Sequence, residues 1–315
     1  MSCLLADIGG TNTRCAITRA AGPIEKIRTF SNDDFPSVVT LLSKYMRSLD
    51  ADERPQSGLF AVAAPTQGDQ VHMINIDWRF SATELQRELE FKNLKLLNDF
   101  EALAYALPIL SDDDLRQIGA GEKLDGKPMV VLGPGTGFGA AGLVPMANGG
   151  WHTVSGEAWH ITMAASDVKE TDLISQARDR FEHCSVERLI SGAGLSFLHS
   201  TLHETPALDA AEIGQLAMDG DPEANDSLDT MFKFLGTVAA DLALTFGAFG
   251  GVYIGGGMIP RHAERFIASG FRDRFESKGR YREYLRSIPT FLIVAEHPTL
   301  TGLAAHAQGH SDFFN

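Results

Sequence analysis

Three glycine-rich loops, each set directly after a short apolar run or around one, constrain this chain more than any other feature. They read Asp7-Ile8-Gly9-Gly10-Thr11-Asn12, Gly133-Pro134-Gly135-Thr136-Gly137-Phe138-Gly139 and Gly250-Gly251-Val252-Tyr253-Ile254-Gly255-Gly256-Gly257. Glycine supplies 31 of the 315 residues, above the usual ~7%, and the surplus gathers at these places. Without a Cβ, such backbone can approach a ligand closely and present its N–H groups to an anion. The second loop lacks the lysine of G-x-x-x-x-G-K-[ST], and no helical pattern follows it at once, so neither a P-loop nor a dinucleotide fingerprint fits. Taken singly, the first loop also fits an ordinary hairpin, the second a structural turn and the third close helix packing.

In the first loop, a carboxylate just after a strand can hold Mg²⁺ through water, and Thr11 can donate to a phosphate oxygen, which suits a metal-nucleotide. The net charge of −14 (27 Lys and Arg against 41 Asp and Glu) argues against general binding to nucleic acid or to anionic membranes. It does not oppose one nucleotide held by backbone amides. Three cysteines without C-x-x-C spacing make neither a disulfide framework nor a zinc knuckle. With no basic and apolar leader at the start, a cytoplasmic location is the expectation.

Apolar runs and periodicity predict strands over 3–6, 14–18, 24–30, 59–64, 93–97, 129–132, 140–144 and 251–254. Helices are expected after Pro36, from Ser81 to about 90, near 167–181, 210–218 and 222–246, from about Pro260, and over 299–308. Strands alternating with helices indicate α/β layers. The acidic stretch 111–127 is the best boundary between halves. A glycine-rich strand turn opens each half and hints at a structural repeat.

Together, in this order and spacing, the three loops resemble the phosphate-1, phosphate-2 and adenosine motifs of the superfamily of sugar kinases, actin and heat-shock chaperones. The likeness continues at Leu97-Asn98-Asp99-Phe100, Ser155-Gly156-Glu157-Ala158-Trp159-His160, Val186-Glu187-Arg188-Leu189-Ile190-Ser191-Gly192, Gly270-Phe271-Arg272, Lys278-Gly279-Arg280 and Ile288-Pro289. Over nearly its whole length the chain resembles the proteobacterial type of ATP-dependent glucokinase. This implies two ribonuclease-H-like α/β domains of the actin-ATPase and hexokinase type with an interdomain cleft. The smaller would hold residues 1–108 with 299–315, the larger 109–298. A homodimer is implied as well.

The same resemblance implies the site. Asp99 would be the catalytic base, and Asn98, Glu157, His160 and Glu187 would bind glucose hydroxyls, with Asn75 a further sugar contact. Gly9, Gly10 and Thr11 together with Gly135, Thr136 and Gly137 would embrace the ATP phosphates. Gly255, Gly256 and Gly257 would support adenosine, and Asp7 would hold hydrated Mg²⁺. The chemistry agrees: a sugar hydroxyl is a weak nucleophile, and a carboxylate within reach can take its proton as the γ-phosphoryl group leaves ATP. Carboxylates and an imidazole also suit a ligand built of hydroxyls.

One departure stands out. The family usually places two glycines between this glutamate and histidine, where here Ala158 and Trp159 intervene. An indole at the rim of a sugar site bears on which hexose is accepted, so a kinase for another hexose or an amino sugar is the enzyme alternative. A non-catalytic ATP- or sugar-binding regulator of the same fold is the other.

Overall fold

The structure is a computed structural model that describes residues 2–73, 76–147 and 149–314. The chain divides into two compact units, Met1–Leu110 with Glu296–Asn315, and Ser111–Ala295.

In the first unit, β1 (Ser2–Ile8), β2 (Asn12–Arg19) and β3 (Glu25–Ser31) form an antiparallel meander. Helix α1 (Val38–Arg47) follows Pro36, capped by Ser37, whose side chain accepts the Thr40 N–H. Next come β4 (Ser57–Val62), the small hairpin of β5 (Gln70–His72) and β6 (Arg79–Ser81), then α2 (Ala82–Glu88), β7 (Asn93–Asn98) and α3 (Asp99–Ala104). The sheet order is β3-β2-β1-β4-β7, with β1, β4 and β7 parallel. Side-chain alternation along β1 sends Leu4, Ala6 and Ile8 to a core shared with α1, and Cys3 and Leu5 to a second core under the terminal helix Pro298–Gln308. A strand buried on both faces reads as the continuous apolar run seen in the sequence.

In the second unit, β8 (Leu115–Ile118), β9 (Met129–Pro134), β10 (Phe138–Pro145) and β11 (Trp151–Ser155) precede a helical segment of α4 (Val168–Phe181), α5 (Gly192–His203), α6 (Ala210–Met218) and the 25-residue α7 (Pro222–Phe246). Strand β12 (Val252–Ile254), short helices α8 (Ala263–Ala268), α9 (Phe271–Glu276) and α10 (Arg282–Arg286), and β13 (Thr290–Ile293) complete it. The helix expected from Pro260 begins instead as a 3₁₀ turn, Ile259–His262, and only then becomes the six-residue α8. Helix α5 and strands β8 and β13 escape the sequence reading, because each is short or glycine-bearing and lacks clear periodicity.

The second sheet runs β11-β10-β9-β12-β13-β8. Its first five strands repeat the order and directions of the first sheet, antiparallel β11-β10-β9 beside parallel β9-β12-β13, with β8 added antiparallel at the edge. The two glycine turns thus join topologically equivalent strands, which gives the weak sequence repeat its meaning. Cys3, Cys15 and Cys184 are buried free thiols. Among the described residues, no helix is long and apolar enough to cross a membrane.

Candidate active site

The parallel strands of the first sheet end together, and their carboxyl ends carry Asp7, Asn98 and Asp99, the place where α/β sheets commonly bind ligands. Asp7 lies level with Ala61 of β4, and Ala61 with Leu97 of β7. Asp99 therefore emerges two strands away from Asp7, and the two carboxylates feel each other. Arg14, opposite Asp7 in the β1–β2 ladder, donates from Nη1 to Asp7 Oδ2 at 3.1 Å. Burial pushes the Asp7 carboxyl upward, partly offset by Arg14 and His297.

Asp99 opens α3. Asn98 caps that helix, its Oδ1 accepting the N–H groups of Phe100 (2.9 Å) and Glu101 (3.4 Å), while Asp99 Oδ1 accepts from Phe100 at 3.0 Å. Burial and then the Asp7 charge raise the Asp99 carboxyl to about 7, against the opposing pull of these amide donors. A carboxyl titrating near neutrality, at the end of a strand, has the acidity wanted of a general base.

The first glycine loop turns between Asp7 and Arg14, with Gly9 N–H donating to Asn12 O at 3.0 Å and Thr11 exposed at its tip. A residue that sequence reasoning missed holds it. Asn32 is fully buried, donates from Nδ2 to Gly9 O (2.8 Å), accepts from Thr13 Oγ1 (2.8 Å), and its own N–H meets Thr11 O (2.9 Å). In sequence it sits in Ser31-Asn32-Asp33, which reads only as a polar turn.

In the second unit, the loop 135–137 is equally tight, with Gly135 N–H to Gly137 O at 2.7 Å. Glu187 secures it: Oε2 accepts the Phe138 N–H at 3.1 Å, and a Cβ at residue 137 would lie 2.5 Å from that oxygen, so only glycine fits there without displacing the carboxylate. Gly192 N–H reaches Gly135 O at 3.1 Å from the start of α5, which Ser191 caps by accepting the Gly194 N–H (3.0 Å) while donating to Glu187 O (2.7 Å). One serine thus ties the glutamate turn to the glycine loop.

Glu157 precedes the 3₁₀ turn Ala158–His160, and Glu187 lies in the 3₁₀ turn Val186–Arg188. The two turns touch, joined by Val186 N–H to Ile161 O (3.0 Å) and a bridge between Thr162 and Ser185. Glu157, His160 and Glu187, spread over 31 positions of sequence, thereby fall in one neighbourhood. Trp159 is half-buried against the core and tilts over His160, their ring centres 5.8 Å apart. Trp78 is a core residue, and Asn75 lies outside the described residues.

The third loop fits against the second. Gly255 N–H donates to Leu132 O (2.9 Å), a Cβ at residue 133 would lie 2.0 Å from Gly255 O, and Gly256 has φ +85°. Residues 133 and 256 need glycine for packing, whereas a Cβ at residue 135 or 257 would meet open space.

Known proteins match this chain in sequence and in fold. A family model described as Glucokinase matches residues 4–310. The chain belongs to the glucokinase family. The glucokinase of Aromatoleum aromaticum is 44% identical over 308 residues, covering 96% of this chain and 93% of that one. The glucokinase of Chromobacterium violaceum is 43% identical over 313 residues, covering 98% and 89%. The crystal structure of a glucokinase from an Antarctic psychrotroph superposes with a TM-score of 0.85 at 36% identity, over 98% of this chain and 99% of that one. As a member of the glucokinase family, the chain is a carbohydrate kinase with the actin-type ATPase fold.

Magnesium fits the first unit. Two neighbouring carboxylates that raise one another's cost of ionisation are eased by a divalent cation, and Asp7 Oδ1 makes no hydrogen bond among the described residues. No group of three or more His, Cys, Asp or Glu gathers for a resident ion among them, so phosphate oxygens and water would supply the remaining ligands.

Proposed function

We propose that this protein transfers the terminal phosphoryl group of ATP to the 6-hydroxyl of D-glucose, with Asp99 as general base. The observation that carries this reading is the Asp99 carboxyl, raised to about 7 by burial and by Asp7 at the end of a parallel strand. As the sugar oxygen bonds to the γ-phosphorus and the bond to the β-phosphate oxygen breaks, the hydroxyl proton passes to Asp99 and ADP departs. Asn98 spends its carbonyl oxygen on the α3 cap, so its amide NH₂ is the part left to meet a sugar oxygen.

Glu187 binds the Phe138 N–H with Oε2, which leaves Oε1 to accept a sugar hydroxyl. Glu157 and His160 fix further hydroxyls from the adjoining turn, and a sugar that lacks one of them leaves a polar group unpaired. The backbone N–H groups and threonine hydroxyls of the two hairpins hold the donor's phosphates, and the open surface at Gly257 takes its nucleoside. Asp7 would hold Mg²⁺ through water; the ion's part is to neutralise phosphate charge.

The half-buried Trp159 beside His160 favours a second reading at the level of substrate choice, a preference for another hexose or an amino sugar. A sugar panel with ADP detection separates the two.

The base assignment is tested with Asp99→Asn. The folded variant should lose about 10²–10⁴-fold in kcat while still binding glucose, measured by a coupled ADP assay and by tryptophan fluorescence. Phosphorylation at the parental rate overturns it.

A further inference from the structure

A buried ion pair in the second unit has no part in the roles given above. Glu170, in the first turn of α4, is 3% exposed, and its carboxylate meets the guanidinium of Arg274, on α9, through a fork. Its Oε1 accepts from Arg274 Nη2 at 2.6 Å and its Oε2 from Nη1 at 3.1 Å. The same Oε2 accepts the Ser166 N–H at 2.7 Å. The pair joins residues 104 positions apart in sequence, and its third partner lies on the segment that leads out of the 3₁₀ turn Ala158–His160.

That segment, 161–166, is held at both ends. At its start it is tied to the neighbourhood of Glu187: Ile161 O accepts the Val186 N–H, Thr162 bridges Ser185, and Met163 N–H donates to Cys184 O at 2.9 Å. At its far end Glu170 holds the Ser166 N–H. Arg274 is itself fixed from behind. Its Nη1 also donates to Thr237 Oγ1 of α7 at 3.3 Å, and α9 lies so close on α7 that a Cβ at residue 236 would stand 2.5 Å from Phe271 O. A chain of contacts therefore runs from the core helix α7 through Arg274 and Glu170 to the segment that follows Glu157 and His160.

A buried ion pair returns little net stability over apolar side chains of similar size, because desolvation offsets the attraction. What a fork does supply is direction, since a planar guanidinium fixes both carboxylate oxygens at once. We propose that Arg274 is a positioning residue for sugar binding: through Glu170 and Ser166 it holds the 161–166 segment, and with it Glu157 and His160, in place against Glu187. This rests on the reading that those three side chains meet the sugar's hydroxyls. Small misplacements of such groups are costly, so the effect falls on the sugar and not on the phosphoryl donor.

The test is steady-state kinetics of the full-length protein with the sugar that the parent phosphorylates best, glucose on the reading above. In Arg274→Met the sugar KM should rise roughly tenfold, with kcat and the ATP KM within about twofold of the parent. Arg274→Lys, which keeps the charge but not the fork, should show a smaller rise. Because a lone buried carboxylate can unfold the first variant, Glu170→Leu combined with Arg274→Met removes both charges, and its urea midpoint should lie near that of the parent. Its sugar KM should stay raised, a split that a merely stabilising pair would not produce. Hydrogen exchange at the amides of 161–166 should quicken about tenfold or more in this double variant. Asp241→Asn, which breaks the ion pair of Lys278 with the same helix α7, should leave the sugar KM unmoved. A parental KM or parental exchange in the folded double variant overturns the proposal. A parent that phosphorylates no sugar overturns the reading of the site, and the proposal with it.

Discussion

The first hairpins of the two sheets occupy the same place in the same strand order, yet different devices hold them. The turn after β1 is pinned from inside by the buried amide of Asn32, and the carboxylates of Asp7 and Asp99 stand at strand ends. The turn after β9 is pinned by Glu187, whose Oε2 accepts the Phe138 N–H from a distant 3₁₀ turn. One unit partly desolvates its acids, Asp7 and Asp99, and thereby raises the pH at which they ionise. The other places its acids on turns tied down by backbone bonds and so tunes their position. A shared topology therefore fixes where a functional loop can be, while the local polar partners decide what chemistry it supports.

The widest predicted contrast is in pH dependence. Asp99 must be ionised to accept a proton, so log kcat/KM should fall with unit slope below about pH 7 and level off above it. That is about a hundredfold loss by pH 5. In Asp7→Asn the midpoint should move down, since the Asp7 charge is one of the causes that raise Asp99. A midpoint unmoved in pH-rate profiles would break the proposed coupling between the strand ends.

The same shift bears on stability. The folded value lies above the ordinary one of 3.8, so the native state binds the proton more tightly than the unfolded chain between about pH 4 and 7. Stability is lost as pH rises through that window, and Asp99→Asn should recover about one to a few kcal/mol at pH 8. Urea midpoints at pH 5 and pH 8 measure this.

Next in size is the pin of the first hairpin. Asn32→Ala leaves the Gly9 carbonyl and the Thr13 hydroxyl without a buried partner and should cost about 1–3 kcal/mol, read as a lower urea midpoint. For the second hairpin, Gly137→Ala forces a Cβ against Glu187 and should raise the glucose KM roughly tenfold, at about 1.4 kcal/mol per decade. Gly135→Ala meets open space and should leave the glucose KM near the parental value. Equal effects of the two on steady-state kinetics would dissolve the contrast between pinned and open glycines. The smallest effect is expected of Trp159→Gly, a few-fold change in the ratio of kcat/KM between glucose and other hexoses.

Much of the fold was legible because its signals are local. The apolar run 3–6 marks β1, the Val38, Leu41, Leu42 and Tyr45 spacing marks α1, and the Asn98–Asp99 pair after β7 sits where a strand ends and a helix is capped. Helix α5 was not legible, since Gly192 and Gly194 obscure its pattern and its start depends on the Ser191 cap. Asn32 was not legible either. Its importance is the depth at which it is buried, and burial belongs to the folded chain.

By itself the sequence determined the strand and helix pattern, the three glycine loops and the family, since each depends on residue type and spacing along the chain. Only the tertiary structure decided which glycines are packing requirements and which face open space, brought Glu187 to the 135–137 loop, and raised Asp99 toward neutrality. Those outcomes depend on which distant groups share a low-dielectric neighbourhood, and that is fixed when the strands pair.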